Sequence, residues 1–332
     1  MMKTVSLVLA AVVLCARMFE MAAVGELRVS IREFDVPTPK ARPHDPAVAP
    51  DGALWYTGQL ANKLGRLDPK TGAIKEFPLK TAESGPHGLA ADKDGNIWFT
   101  ANFKAYIGKL DPRTGKVTEY PMPDRRAQDP HSLVFAGDGK IFFTVQNSNF
   151  VGRLDPSTGK VMLKEVPTPD AVPYGIIIGP DDAAYFCEFG TNKIGRIDPQ
   201  TLAITEYALP EGARPRRIAN NPDRLIYYSD FARGYLGQLN PQSGKVQEWV
   251  SPGGPHSSPY GITSTSDGMV WYSESGVKPN TVVAFNPQTK EFHHWPIPSG
   301  GGVVRNMVAT PDDRLYLACS GVNKVAVVEI SR

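Results

Sequence analysis

The chain has 332 residues, with 36 Lys and Arg against 34 Asp and Glu and a formal net charge of +2. That balance, with no basic run beyond short groups such as Arg125-Arg126 and Arg216-Arg217, gives no electrostatic basis for nucleic-acid or acidic-membrane binding. The 31 Gly and 30 Pro are spread along the whole chain, which predicts frequent turns and no interrupting linker.

Residues 1–23 start with Lys3, continue as an apolar stretch from Val5 to Ala16 and end on the small pair Ala22-Ala23. This is the pattern of a secretory signal peptide, too short in its apolar part for a good membrane span. A periplasmic or secreted protein is expected, with an uncleaved anchor as the alternative. The mature part, 24–332, reads as one domain without a membrane span and as a monomer.

After the leader a strand is predicted at about 28–36, carrying Glu33-Phe34. A refrain then returns: LGRLDPKTG at 64–72, IGKLDPRTG at 107–115, VGRLDPSTG at 151–159 and IGRIDPQTL at 194–202. LGQLNPQSG at 236–244 and VVAFNPQTK at 282–290 are weaker copies. The positions Asp68, Asp111, Asp155, Asp198, Asn240 and Asn286 are 43, 44, 43, 42 and 46 residues apart, a period typical of propellers and solenoids. Within the second period, runs at about 87–91, 96–100, 106–110 and 116–120 are separated by turn residues. Their length and flanks predict strands, and D-P-x-T-G predicts a turn in which Pro presets φ, Asp accepts from backbone amides and Gly supplies positive φ.

Four strands per period, seven times over, predict an all-β chain folded as a seven-bladed β-propeller with four-stranded antiparallel blades. The phrase at 86–100, PHGLAADKDGNIWFT, has relatives starting at His44, His131, Tyr174, Arg216, Tyr260 and Arg305. The last of these ends at 325–330 without an outer strand. The displaced N-terminal strand is therefore expected to complete the last blade and close the ring. Cys187 and Cys319 fall on blades that are not neighbours, which predicts two buried thiols and no disulfide.

The innermost strand of each blade lines the channel of a propeller, so the first residue of each phrase should form a ring: His44, His87, His131, Tyr174, Arg216, Tyr260 and Arg305. A three-residue D-G hairpin sets each opposite the residue fourteen further on. The second ring is then Gly58, Ala101, Val145, Glu188, Asp230, Glu274 and Cys319, and a slip of one residue would turn it to the other sheet face. The remaining shared positions are Leu, Ile, Val, Trp, Phe and Tyr, as packed blades require. Polar residues confined to the rings predict a binding face at one channel mouth, for a small molecule or a peptide-like ligand. Ligand-binding candidates are His44, His87, His131, Tyr174, Arg216, Asp230 and Arg305, with Arg216 and Asp230 also readable as a blade-closing ion pair. His256 lies four residues before Tyr260 and within reach of the same mouth.

The segments PYGITSTSDGMVWYSE (259–274), DGNIWFT (94–100) and NKIGRIDP (192–199) resemble the virginiamycin B lyase family of streptogramin lyases, over roughly 31–330. The resemblance implies a seven-bladed propeller that inactivates cyclic depsipeptide antibiotics by eliminating across the lactone C–O bond, with Mg²⁺ polarising the ester and a histidine as base. In that pattern the histidine opens the phrase of a late blade and a glutamate closes it fourteen residues later. A second, metal-linked glutamate opens the phrase of the preceding blade. The closing glutamate is Glu274 here, while Tyr260 occupies the histidine position and Arg216 the other glutamate position. An active carbon–oxygen lyase of this chain would use Glu274 and Glu188 on the metal and Tyr260 or His256 as proton acceptor. The alternatives are a non-catalytic binding propeller and a lactonase-type hydrolase with a central divalent cation.

Overall fold

The protein is described from a computed structural model over residues 27–331; the expected signal peptide at 1–23 lies outside the described residues. These residues form seven antiparallel four-stranded sheets arranged as the blades of a β-propeller. The innermost strands are Pro43–Val48, Pro86–Ala91, Pro130–Phe135, Pro173–Ile178, Pro215–Asn220, Pro259–Ser264 and Val304–Ala309. Each blade then runs outward through three further strands, and a connector returns the chain to the inside of the next blade.

The ring closes as the displaced strand requires. Arg28–Asp35 pairs along its length with Lys324–Ser331, from Arg28 opposite Ser331 to Asp35 opposite Lys324. The sheet edge of the seventh blade is thereby covered by the other end of the chain.

The recurring phrases have separate physical jobs. In the refrain, Asp68 accepts from the backbone of Lys70 at 2.9 Å, and Gly72 turns at φ +78°. The earlier glycine of the refrain makes room for a neighbour. A Cβ on Gly65 would lie 1.9 Å from Cζ of Tyr56, and Gly108 faces Phe99 in the same way. The outer-strand acids latch the connectors: Thr38 donates to Glu76 at 2.6 Å, Thr81 to Glu119 at 2.7 Å and Thr168 to Glu206 at 2.8 Å. Glu33 receives Ser299 in the closing blade.

The hydrophobic core lies between adjacent blades. One cluster joins Trp55 and Leu64 of the first blade to Leu89, Ile97 and Phe99 of the second, and similar clusters follow around the ring. Cys187 and Cys319 are free and buried, and burial pushes both thiols up from their ordinary pKa. Among the described residues no helix is long and apolar enough to cross a membrane.

Candidate functional site at the channel mouth

The innermost strands all begin at the end of the channel where the connectors arrive, so their first residues gather there. His44 and His87 meet as tilted rings with centroids 3.7 Å apart, His87 and His131 at 3.8 Å, and His131 and Tyr174 at 3.9 Å. Tyr174 and Tyr260 meet through their hydroxyls at 2.5 Å. The ring-one residues of blades one to four and of blade six thus form a continuous buried arc.

The second ring is placed differently from its expectation. In every blade the register jumps between the first and fourth residues of the inner strand, for example from Pro86 opposite Ala101 to Leu89 opposite Phe99. Two residues there face one, which is a β-bulge. The residue before ring one, proline in six blades and Val304 in the seventh, pairs with the position expected to form the second ring, in blade one as Pro43 with Gly58 and in blade six as Pro259 with Glu274. Gly58, Ala101, Val145, Glu188, Asp230, Glu274 and Cys319 are therefore on the sheet face opposite to ring one.

The partners of the three acids agree with that face. Glu274 accepts from Ser251 Oγ at 2.5 Å, Gly253 N at 2.6 Å and Thr281 Oγ1 at 2.7 Å. Blade six carries His294 at the outer-strand position that holds Glu76 in blade one, so Glu274 receives the connector hydroxyl in its place. Asp230 accepts from Arg214 N at 3.0 Å and pairs with Arg233 at 2.6 Å; the expected ion pair with Arg216 is not formed. Glu188 is held at one oxygen by Thr191, 3.1 Å away, and its Oε1 is buried without a partner. Burial, then the nearby Glu206, pushes the Glu188 carboxyl up to about 7.

The bulge brings a second set of side chains into the channel, the residues that follow ring one. They are glycine in blades two, four and six but Asp45, Ser132, Arg217 and Asn306 in blades one, three, five and seven. Arg217 crosses the channel to Asp45 at 2.6 Å and to Ser132 at 3.0 Å, while His44 Nδ1 lies 2.9 Å from the same Asp45 oxygen. Burial, followed by these cationic and imidazole neighbours, holds His44, His87 and His131 well below their ordinary pKa. Donor atoms of His44, Asp45 and His87 come within 4.8 Å of one another. The Arg217 guanidinium on Asp45 supplies the positive charge that a metal would bring there. Sequence reasoning missed Asp45 and Arg217; the available signal was a charged residue where other copies have glycine.

Above the tyrosine pair lies Arg216. Its guanidinium carbon is 3.8 Å from the Tyr260 ring centroid, 4.2 Å from Phe231, 4.9 Å from Phe189 and 5.2 Å from Tyr174. Cation–π attraction within this range is strongest when the cation is desolvated. Burial, then the charge of Tyr174, pushes the Tyr260 phenol well above its usual range. His256 is exposed on the connector before Tyr260, and no contact joins the two side chains.

Fold and mouth together define a closed seven-bladed propeller whose variable residues gather at one end of the channel. The chain belongs to the virginiamycin B lyase family, whose pattern it matches over residues 16–250. Among solved structures it is similar to a streptogramin B lyase, with 27% identity, coverage of 91% of this chain and 98% of that one, and a TM-score of 0.84. It is also similar to the virginiamycin B lyase of Staphylococcus aureus, with 25% identity, 91% and 99% coverage and a TM-score of 0.82. Hydrazine synthase of Kuenenia stuttgartiensis shares the fold at 15% identity, 90% and 97% coverage and a TM-score of 0.73. No curated protein sequence matches the chain.

Proposed function

We propose that the protein is an exported binding propeller of the virginiamycin B lyase family, taking a small-molecule or peptide-like ligand at the connector-side mouth without cleaving it. The observation that carries this reading is Arg216 enclosed by Tyr174, Phe189, Phe231 and Tyr260. The resemblance puts a metal-linked glutamate at that position and a basic histidine at Tyr260. A guanidinium cannot ligate a cation, and a buried phenol is a poor base near neutral pH.

The family resemblance implies Mg²⁺, and the donors do not fit it. Glu274 spends both carboxylate oxygens on Ser251, Gly253 N and Thr281. Glu188 offers one free oxygen, beside Thr191 and Glu206. The lactonase-type reading needs carboxylates converging on the channel. Asp45 is the carboxylate at the two inner positions, and Arg217 and His44 engage it.

The competing reading is a Mg²⁺-assisted lyase acting on cyclic depsipeptide lactones, favoured by the near-complete coverage of a streptogramin B lyase. Calorimetric titration with a streptogramin B, with and without Mg²⁺, separates the two. The binding reading expects injection heats that saturate and do not depend on Mg²⁺. Sustained Mg²⁺-dependent heat flow, lost in Glu274→Gln, overturns it. Export rests on the leader, and N-terminal sequencing of protein recovered from the periplasm or medium tests it.

A further inference from the structure

Resting on the reading of this mouth as a binding site, we propose that its ligand bears an organic carboxylate, gripped by the guanidinium groups of Arg42, Arg216 and Arg305. The three residues come from the first, fifth and seventh blades, and all are only partly exposed. Arg216 and Arg305 are the second residues of the inner strands of their blades, and Arg42 stands two residues before His44 on the connector into blade one.

None of the three has an ion-pair partner among the described residues. Arg217, next along the chain, has its charge met by Asp45 at 2.6 Å. Arg216 has one acceptor, the Tyr174 hydroxyl at 3.3 Å, and the Nε atoms of Arg216 and Arg305 are shielded from solvent without any acceptor. Arg42 holds a backbone φ of +54°. Its guanidinium is lowered from its ordinary pKa by burial first and then by repulsion from Arg305. All three stand at the connector end of the inner strands, where the ring-one side chains gather.

Unpaired, partly desolvated guanidinium groups gathered at one end of the channel oppose folding; an anion among them reverses the sign of the interaction. Their planar fork matches a carboxylate or phosphate through paired N–H donors. The rest of the mouth decides between these. Phe189 and Phe231, half-buried and packed edge to face beside Arg216, offer ring surface that an organic body covers and inorganic phosphate does not. An aromatic or aliphatic carboxylate satisfies both parts of the site.

The test is calorimetric titration with benzoate, its neutral counterpart benzamide and inorganic phosphate at low ionic strength, beside the streptogramin titration above. Benzoate is expected to bind in preference to both, more weakly as NaCl is added. Arg42→Gln and Arg305→Gln should each weaken benzoate about 10-fold or more, the usual loss for a hydrogen bond to a charged group. Without ligand both variants should melt no lower than the parent, because a repulsion has been removed. Equal affinity for benzoate and benzamide, or benzoate affinity unchanged when Arg42→Gln and Arg305→Gln are combined, overturns the proposal. Preference for phosphate overturns the organic carboxylate. Streptogramin binding with no benzoate binding overturns this inference alone, whereas binding of neither probe sinks the underlying reading as well.

Discussion

Replacing Arg217 with methionine removes the cation that crosses the channel while keeping most of its volume. Asp45, 3% exposed, is then a buried carboxylate that has lost a partner at 2.6 Å. Breaking a buried ion pair from one side costs about 3–5 kcal/mol, whereas replacing both partners is often close to neutral. A chain of 332 residues unfolds with an entropy of roughly 0.7 kcal/mol/K, so the single variant should melt about 4–7 °C lower. Asp45→Asn combined with Arg217→Met should recover most of that loss. The loss should also depend on pH. His44 is held below its ordinary pKa by burial first and then by Arg217. Without Arg217, His44 can take up a proton beside Asp45 at 2.9 Å and replace the missing charge. Scanning calorimetry near pH 8 and near pH 5.5 should therefore show the larger loss at the higher pH. A single variant that melts within about 1 °C of the parent, or an equal loss at both pH values without recovery in the double variant, refutes the reasoning.

Four further outcomes follow from the same geometry. The lowered pKa values of His44, His87 and His131 mean that the unfolded chain binds protons the folded one does not, so their contribution to stability is complete above about pH 6.5 and is lost as pH falls below it. A series of melting curves should show this as a decline of up to about 1.4 kcal/mol per pH unit for each histidine. Glu188 has the opposite sign: its carboxyl is raised to about 7, so its ionisation opposes folding above that pH and the effect fades toward 4.5. Glu188→Gln should accordingly raise stability by about 3 kcal/mol near pH 8 in denaturant titrations, with the gain vanishing in acid. Gly65→Ala, whose Cβ would lie 1.9 Å from Tyr56, should cost about 1–3 kcal/mol or more by the same titration. Gly95→Ala has nothing within 4 Å and should show only the cost of its φ of +80°, about 1–2 kcal/mol.

The ring of blades was legible because its causes are local and repeated. Asp68 and Gly72 make a turn from five consecutive residues, and Glu33-Phe34 announces a strand without a blade, which Lys324–Ser331 then receives. Ring one was legible for the same reason, since the residue after each connector must enter the channel. The second ring failed on a single residue of register. The bulge that places both His87 and Gly88 opposite Thr100 is fixed by hydrogen bonds, with Gly88 N donating to Thr100 Oγ1 at 2.7 Å. Nothing in the spacing of hydrophobic residues reports it. The same bulge turns Glu274 and Glu188 away from the channel and brings Asp45 and Arg217 into it. The contacts among the histidine rings and the cage around Arg216 depend on how separate blades converge, and the spacing within one blade carries no information about that.

The central claim is that a caged arginine and a buried tyrosine have replaced the family's chemistry at this mouth with binding. Its most direct test is prolonged incubation of the full-length mature protein with a streptogramin B and Mg²⁺, followed by chromatography and mass spectrometry of the antibiotic. The account predicts a lactone unchanged in mass, retention and fragmentation. A linear isomer of the same mass, formed only with the protein and Mg²⁺ present, would contradict it.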